Sequence, residues 1–464
     1  MGLSDFAESL GRGLVGGYLE PTIRLGVTGL SRAGKTVFIT SLIANLMDRG
    51  RLPGLRAAAE GRIRAAYLQP QPDDTVPRFD YEAHLVALTG AAPHWPDSTR
   101  AVSELRLSFR LQAGGILGSF RGIQTLHLDI VDYPGEWLLD LALLDLSYAG
   151  WCAQTLSRLG PRPEAAGFLA DLGRENPGLP LDEARAKALS QSFTAYLEAA
   201  RAAGYSDCSP GRFLLPGDLA GSPVLTFAPL PDGQGHRRGS LYREFQRRYE
   251  AYKSQVVKPF FRDHFARIDR QIVLVDALGA IHSGPRAVED MRLAMQGILG
   301  AFRPGRNGWL AGLMGGRRVE RILFAATKAD HIHHSQHLRL TNIMAALMRE
   351  AKDRADFAGA HTAAMSIAAL RATVEETVRH DGAMLDCVRG RLIDTGREAA
   401  FYPGDLPENP GQLLSSARAG DERWLDADYG AMNFTPNAAG LRPGGGLPHI
   451  RLDKALEFLI GDRL

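Results

Sequence analysis

The chain has 464 residues, 45% of them apolar, 8% aromatic and 23% charged, which is enough to bury a large core without disulfides or a structural metal and excludes a disordered or collagen-like polymer. A formal charge of +2 excludes a dedicated nucleic-acid binder, and the three scattered cysteines, Cys152, Cys208 and Cys387, form no disulfide framework or CxxC pair. No apolar run reaches the ~18 residues of a transmembrane helix, so no span is expected, and the unpaired cysteines fit a reducing cytoplasm.

In chain order, Leu3, Phe6 and Leu10 predict an amino-terminal helix within 1–20, and MGLSDFAESLGRG lacks the apolar stretch of a leader peptide. A strand at 23–28 runs into a Gly-containing turn and then a helix from 35 to about 47. Pro53, Pro70, Pro72, Pro77, Pro93 and Pro96 make 50–98 an irregular insertion. Alternating residues at 101–111 and 123–131 predict two strands of a hairpin. Helical patterning then dominates, with helices at 137–158, 183–204 and 240–267. Strand signals return at 271–276, 321–327 and 361–367, with helices at 286–302 and 335–353 between them and an amphipathic helix at 452–459. This order predicts an α/β fold with a mostly parallel sheet flanked by helices. Its halves are 21–149 and 269–464, with a mainly helical insertion at 150–268.

The segment Gly29-Leu30-Ser31-Arg32-Ala33-Gly34-Lys35-Thr36 matches GxxxxGK[ST] between a predicted strand and a predicted helix, the setting of a P-loop NTPase. Glycines let the backbone wrap a polyphosphate while the N–H groups of Gly29, Ser31, Arg32, Ala33, Gly34 and Val37 face it. Lys35 would reach the β and γ phosphates, and the Thr36 hydroxyl would hold Mg²⁺. In LHLDIVDYPGEW, Asp132 ends a strand and opens a DxxG whose Gly135 N–H senses the γ-phosphate. Asp129 is the alternative Mg²⁺-side acid, on the opposite face of that strand.

Thr327-Lys328-Ala329-Asp330 follows a later strand and has the form [NT]KxD, in which the carboxylate accepts from the N1 and N2 hydrogens of guanine. Adenine has no such paired donor edge, so GTP or GDP is expected over ATP. Ser366 and Ile367, one unit further on, would fill the last base-contacting loop.

With these motifs in place, the chain resembles the YcjX-like family of bacterial P-loop GTPases, also described as a stress-related ATPase-like family. The likeness rests on LGVTGLSRAGKTVFITSL, LDIVDYPGEW, RILFAATKADHIHHSQH and PHIRLDKALEFLIGD, and spans nearly the whole chain. It implies a Ras-like core with a large helical insertion, slow GTP hydrolysis, a cytoplasmic location and a membrane-protein partner, which would place the chain at the periphery of the inner membrane.

Spacing agrees: about 100 residues separate Lys35 from Asp132, and about 190 separate Gly135 from Thr327. The surplus forms bodies outside the sheet, and 150–268 reads as a partner-binding or regulatory surface or as structural cover. Glu136 stands where many GTPases place a water-orienting Gln or His, and is either catalytic or structural. The first-switch Mg²⁺ ligand is Thr99, with Thr75 as the alternative. Arg100 is the candidate arginine in cis, ahead of Arg62 and Arg78. A partner-completed site and slow intrinsic turnover are expected.

His331, His333, His334 and His337 cluster after Asp330, but without HExxH or a nearby Cys they read as a polar loop beside the nucleotide ahead of a metal or pH-sensing site. The loop 302–321 sets Arg303, Arg306, Arg317, Arg318 and Arg321 around Trp309, Leu310, Leu313 and Met314. It reads either as a membrane-surface or partner loop or as solvated arginines around residues that cap the core. No GxSxG elbow or GxGxxG appears, which sets aside triad hydrolases and dinucleotide oxidoreductases. The expected activity is Mg²⁺-dependent GTP binding with slow hydrolysis. The alternatives are an ATPase and a non-catalytic nucleotide-gated interaction module.

Overall fold

The computed structural model describes residues 20–30, 33–97, 101–112, 122–231, 237–300, 319–349, 353, 359–420, 432–437 and 445–464. The expected amino-terminal helix and nearly all of the loop 302–321 lie outside them, as do Ser31, Arg32, Thr99 and Arg100.

Seven strands form the central sheet: β1 (Thr22–Gly29), β2 (Ile63–Gln69), β3 (Ser103–Gln112), β4 (Ile123–Asp132), β5 (Arg270–Val275), β6 (Arg321–Ala326) and β7 (His361–Ser366). Their order is β2-β3-β4-β1-β5-β6-β7, and β3 runs antiparallel to its neighbours while β4, β1, β5, β6 and β7 pair in parallel. Parallel strands covered on both faces must be apolar on both. In β5, Ile272 and Leu274 join one core while Val273 and Val275 join the other. In β6 the alternation is Leu323 and Ala325 against Ile322 and Phe324.

The helices Lys35–Asp48 and Leu452–Ile460 cover the first face. The second face is covered by Pro285–Gly300 and His337–Leu347, and its core runs without interruption into the helices between β4 and β5. There Trp151, Phe193, Phe213, Phe227 and Tyr249 pack ring against ring at 4.9–6.1 Å. This second body is therefore stabilised largely by aromatic burial.

Three expectations need correction. The stretch 50–98 is not wholly outside the sheet, because it contributes β2, which pairs antiparallel with β3. The helix expected at 137–158 is broken into Glu136–Leu139, a 3₁₀ stretch Asp140–Asp145 and Tyr148–Leu159, the last capped by the Ser147 hydroxyl accepting from Gly150 N–H. The helix expected at 240–267 carries a π turn, Lys253–Val257, before Lys258–Asp263. Pro259 lacks an N–H and crowds the preceding turn, which accounts for the π insertion there.

A second, antiparallel sheet of β8 (Val374–His380), β9 (Ala383–Arg391) and β10 (Glu398–Phe401) was not expected from the sequence. Among the described residues no helix is long and apolar enough to cross a membrane.

Candidate functional site

β1, β4 and β6 end on the same edge of the sheet, where open α/β folds bind ligands. β1 delivers Gly29, and the turn reaches Gly34 in the left-handed region at φ 78°, from which the helix Lys35–Asp48 starts. Phe38 N–H makes the first intrahelical bond, to Gly34 C=O at 2.9 Å, so the amides of Lys35, Thr36 and Val37 stand ahead of the helical ladder. Ala33 and Thr36 are buried, whereas Lys35 and Val37 are half-buried.

Asp132, the last residue of β4, lies opposite Val27 of β1 and is buried. The following Gly135 approaches the phosphate loop so closely that a Cβ there would sit 2.2 Å from Gly29 O, so only glycine fits. Asp129 is already committed: Arg106 clamps its two oxygens at 2.6 and 2.8 Å. That pairing leaves Asp132 as the acid at the strand end.

The Thr36 hydroxyl lies 3.5 Å from Asp97 C=O, and the charges of Asp80, Asp132 and Asp97 all act on the His84 imidazole. The hydroxyl of Thr36 and the carbonyl of Asp97 thus meet beside the loop, and Asp132 ends the neighbouring β4, oxygen donors of the kind Mg²⁺ takes. Asp97 is the last described residue before the stretch that holds Thr99. Thr75 is spent elsewhere, its hydroxyl donating to Asp73 at 2.6 Å on an exposed turn. Arg78 pairs with Glu82 at 2.7 Å on the surface, and Arg62 binds Glu60 and the terminal Leu464 carbonyl. Arg62 lies at the far end of β3, its C=O accepting from Gln112 N–H, whereas Arg78 bridges Glu104 beside the Ser103–Asp132 pair with its guanidinium turned to Glu82.

Beyond β6, Thr327 donates its N–H to Val275 C=O at 2.9 Å, and Lys328 takes a left-handed conformation at φ 60° with its ammonium on the Asp276 carboxylate. Asp330 is buried. Its Oδ2 accepts from Ala372 N–H at 2.8 Å, and its own C=O accepts from the Thr373 hydroxyl. The carboxylate is held in place with acceptor capacity to spare, since it offers about four lone-pair positions.

Ser366 and Ile367 stand beside this loop. The Ser366 hydroxyl donates to His337 C=O at 3.0 Å and accepts from Thr341 and Arg451, each at 2.9 Å. Ile367 N–H bonds to Ala326 C=O, and its C=O accepts from Ala329 N–H. These bonds hold both residues within the protein beside the Thr327–Asp330 turn. His337 is a support too: its Nε2 donates to Ala329 C=O at 2.8 Å, and burial holds the imidazole below the usual histidine range. Burial does the same to His331.

Three features were missed in the sequence. Asp276 both caps the helix Ala277–Ser283 through Gly279 N–H and receives Lys328; an Asp between a strand and a helix was the available signal. Arg201 and Tyr205 line the same cavity as Leu30, Glu136 and Lys328, a contact across some 170 residues that has no local signature. The third is the docking of the segment after DxxG into the second body. A Cβ on Gly211 would sit 2.2 Å from Glu136 O, the Arg212 guanidinium lies 3.2 Å above the Trp137 ring, and Trp137 Nε1–H donates to Leu215 C=O at 3.2 Å.

Asp140 fastens the same joint, accepting from Gly211 N–H at 2.7 Å, from the Ser209 hydroxyl at 3.1 Å and from the Tyr252 hydroxyl. Burial pushes its carboxyl up to about 6, against those three donors and the nearby Arg212 charge. A carboxyl raised in the folded state holds a proton that the unfolded chain has already released. Stability from this group therefore falls as pH rises from about 4 to about 6, by up to ~3 kcal/mol, and is level above that. Asp140→Asn should lack this decline, and urea titrations of both proteins at pH 4.5 and 7 measure it. Parallel pH dependence in the two proteins would show that Asp140 does not titrate there.

Residues 23–464 match the sequence profile of the YcjX-like family, DUF463. A protein of Escherichia coli (strain K12) named Ras-like GTPase YcjX is 38% identical over 470 residues, covering 97% of this chain and 98% of its own. A protein of the same name from Shewanella oneidensis (strain MR-1) is 35% identical over 468 residues, covering 95% and 94%. With the likeness running from β1 to the carboxy-terminal helix, the chain belongs to the YcjX-like family.

Proposed function

We propose that the protein binds guanine nucleotides with Mg²⁺ and hydrolyses GTP slowly, as a switch whose state is passed to the helical body between β4 and β5. The observation that carries this reading is the convergence of three segments far apart in sequence. The phosphate loop, the DxxG and the TKxD end on one edge of one sheet, with Gly135 against Gly29 and Asp330 held by Ala372 and Thr373. The related proteins named Ras-like GTPase support the same reading.

In this reading Lys35 and the amides from Gly29 to Val37 bind the phosphates, while Asp330 selects the base. Thr36, Asp132 and the segment bearing Thr99 would hold Mg²⁺, which supplies charge neutralisation between the β and γ phosphates. Glu136 lines the cavity shared by Leu30 and Lys328, where it could orient water, but its charge opposes a γ-phosphate. Slow turnover follows, with Arg100 or a partner's group as the missing cation. The second body is the surface offered to a protein partner, and the action is cytoplasmic, with peripheral membrane contact at 302–321.

Equilibrium binding of labelled GDP and ADP to nucleotide-free full-length protein tests the proposal. GDP should bind at least tenfold more tightly at saturating Mg²⁺, as expected for a site that pairs two donors of one base and not the other. Equal affinities would overturn it.

A further inference from the structure

The histidines after Asp330 lacked a third ligand type in the sequence; the fold supplies it from β8. His334 Nδ1 lies 2.7 Å from Glu375 Oε2, and His333 Nε2 lies 3.9 Å from the same oxygen. One ligand atom from each of the three falls within 4.8 Å of the others. We propose that His333, His334 and Glu375 form a zinc site that clips the loop after Asp330 to the second sheet.

Three observations carry this. Ligand atoms around a tetrahedral Zn²⁺ at about 2.0–2.2 Å stand roughly 3.3–3.6 Å apart. The separations of 2.7 and 3.9 Å bracket that value, and His334, whose side chain is 67% exposed, has room to back away by the difference. The second observation is the setting of His333. Its Nδ1 accepts from Ser335 N–H at 3.4 Å as the ring stands, and has Ser335 Oγ at 2.9 Å and the Asp386 carboxylate of β9 at 3.3 Å to which the Nδ1–H tautomer would donate. A zinc-bound histidine characteristically gives its outer N–H to such an oxygen, which fixes the tautomer and leaves the other nitrogen as ligand. Here that other nitrogen is Nε2, the atom facing Glu375.

The third observation is the donor set. Two imidazoles and one carboxylate suit Zn²⁺ and its late first-row neighbours, whereas Mg²⁺ and Ca²⁺ favour oxygen ligands throughout. Arg371, 3.6 Å from Glu375 Oε1, neutralises part of the carboxylate charge, so this is a site of moderate affinity with water in the fourth position.

The placement gives the ion a role. His333 and His334 follow Asp330 by three and four residues, and Glu375 follows Ala372 and Thr373, the two residues that hold Asp330. A bound ion ties both strands of that grip together. Zinc uptake does not depend on the nucleotide reading, so the test is made without nucleotide.

Metal-free, full-length protein is titrated with ZnCl₂ by calorimetry, and its melting temperature is followed with and without zinc. The expected result is about one Zn²⁺ per chain and a raised melting temperature. Both effects should weaken at least tenfold in affinity in His334→Ala and in Glu375→Gln, whose metal-free melting temperatures stay at the wild-type value. His380→Ala, an exposed histidine on the β8–β9 turn, controls for surface binding and should leave both effects intact. Equal zinc affinity in wild type, His334→Ala and Glu375→Gln would overturn the proposal. So would no uptake by the wild type at about 100 µM zinc, a concentration that saturates sites of moderate affinity; the three residues would then form an ion-pair cluster only.

Discussion

Lys35→Ala should remove triphosphate binding and hydrolysis while leaving the fold intact. The Lys35 ammonium starts the helix directly after the left-handed Gly34, where it can meet the β and γ oxygens that the loop amides surround. Two charge-assisted contacts are lost together, at about 3–5 kcal/mol, so GTP affinity should fall roughly 100- to 5,000-fold. Packing is carried by the buried Thr36, Phe38, Ile39 and Leu42 of the same helix, so urea stability should change little. Titration with a slowly hydrolysed GTP analogue and a phosphate-release assay measure the effect. Wild-type affinity and turnover in the variant would place the phosphate site elsewhere.

Asp330→Asn should exchange guanine for xanthine. The fixed neighbour is Ala372 N–H, which requires an acceptor and so draws the amide oxygen of the asparagine toward itself. The amide NH₂ is then left on the side of the base. Guanine presents N1 and N2 hydrogens there, donor against donor, and should lose about 2–4 kcal/mol, or 30- to 1,000-fold. Xanthine carries an oxygen at position 2, which the new NH₂ can meet. Competition of GDP, XDP and ADP against both proteins at fixed Mg²⁺ should show XDP gaining as GDP loses. Unchanged GDP affinity would remove Asp330 from base recognition.

The parts of this site that could be read from sequence are those whose chemistry is local. A phosphate loop needs a strand, a turn and a helix close together in sequence, and the run from Thr22 through Gly29 and Lys35 into the following helix contains them all. DYPG and TKAD are similarly self-contained, each at the end of an apolar strand. Long-range partners were not legible. Nothing near Asp129 announces Arg106, and nothing near Asp140 announces Gly211, whose capture breaks the helix expected at 137–158. Nothing near Ser366 announces that its hydroxyl accepts from Thr341 and Arg451.

The second sheet is different, because its signal was present. Asp381-Gly382, with both φ values positive at 48° and 82°, is a two-residue turn of the kind that joins β8 to β9. VEETVRH is polar and none of its residues is buried, so it carries no strand-like apolar alternation. With that hairpin unseen, Glu375 could not be set beside His333 and His334.

The indole of Trp137 is two residues past Gly135, covered by the Arg212 guanidinium and bonded to Leu215 C=O, both from the second body. The protein therefore carries its own optical probe at the joint between the DxxG turn and the second body. A guanidinium stacked on an indole alters its emission, and so does the loss of the N–H bond to the carbonyl. With the other four tryptophans replaced by phenylalanine, a displacement between the two parts would change the emission of Trp137 on the timescale of mixing, with no label attached.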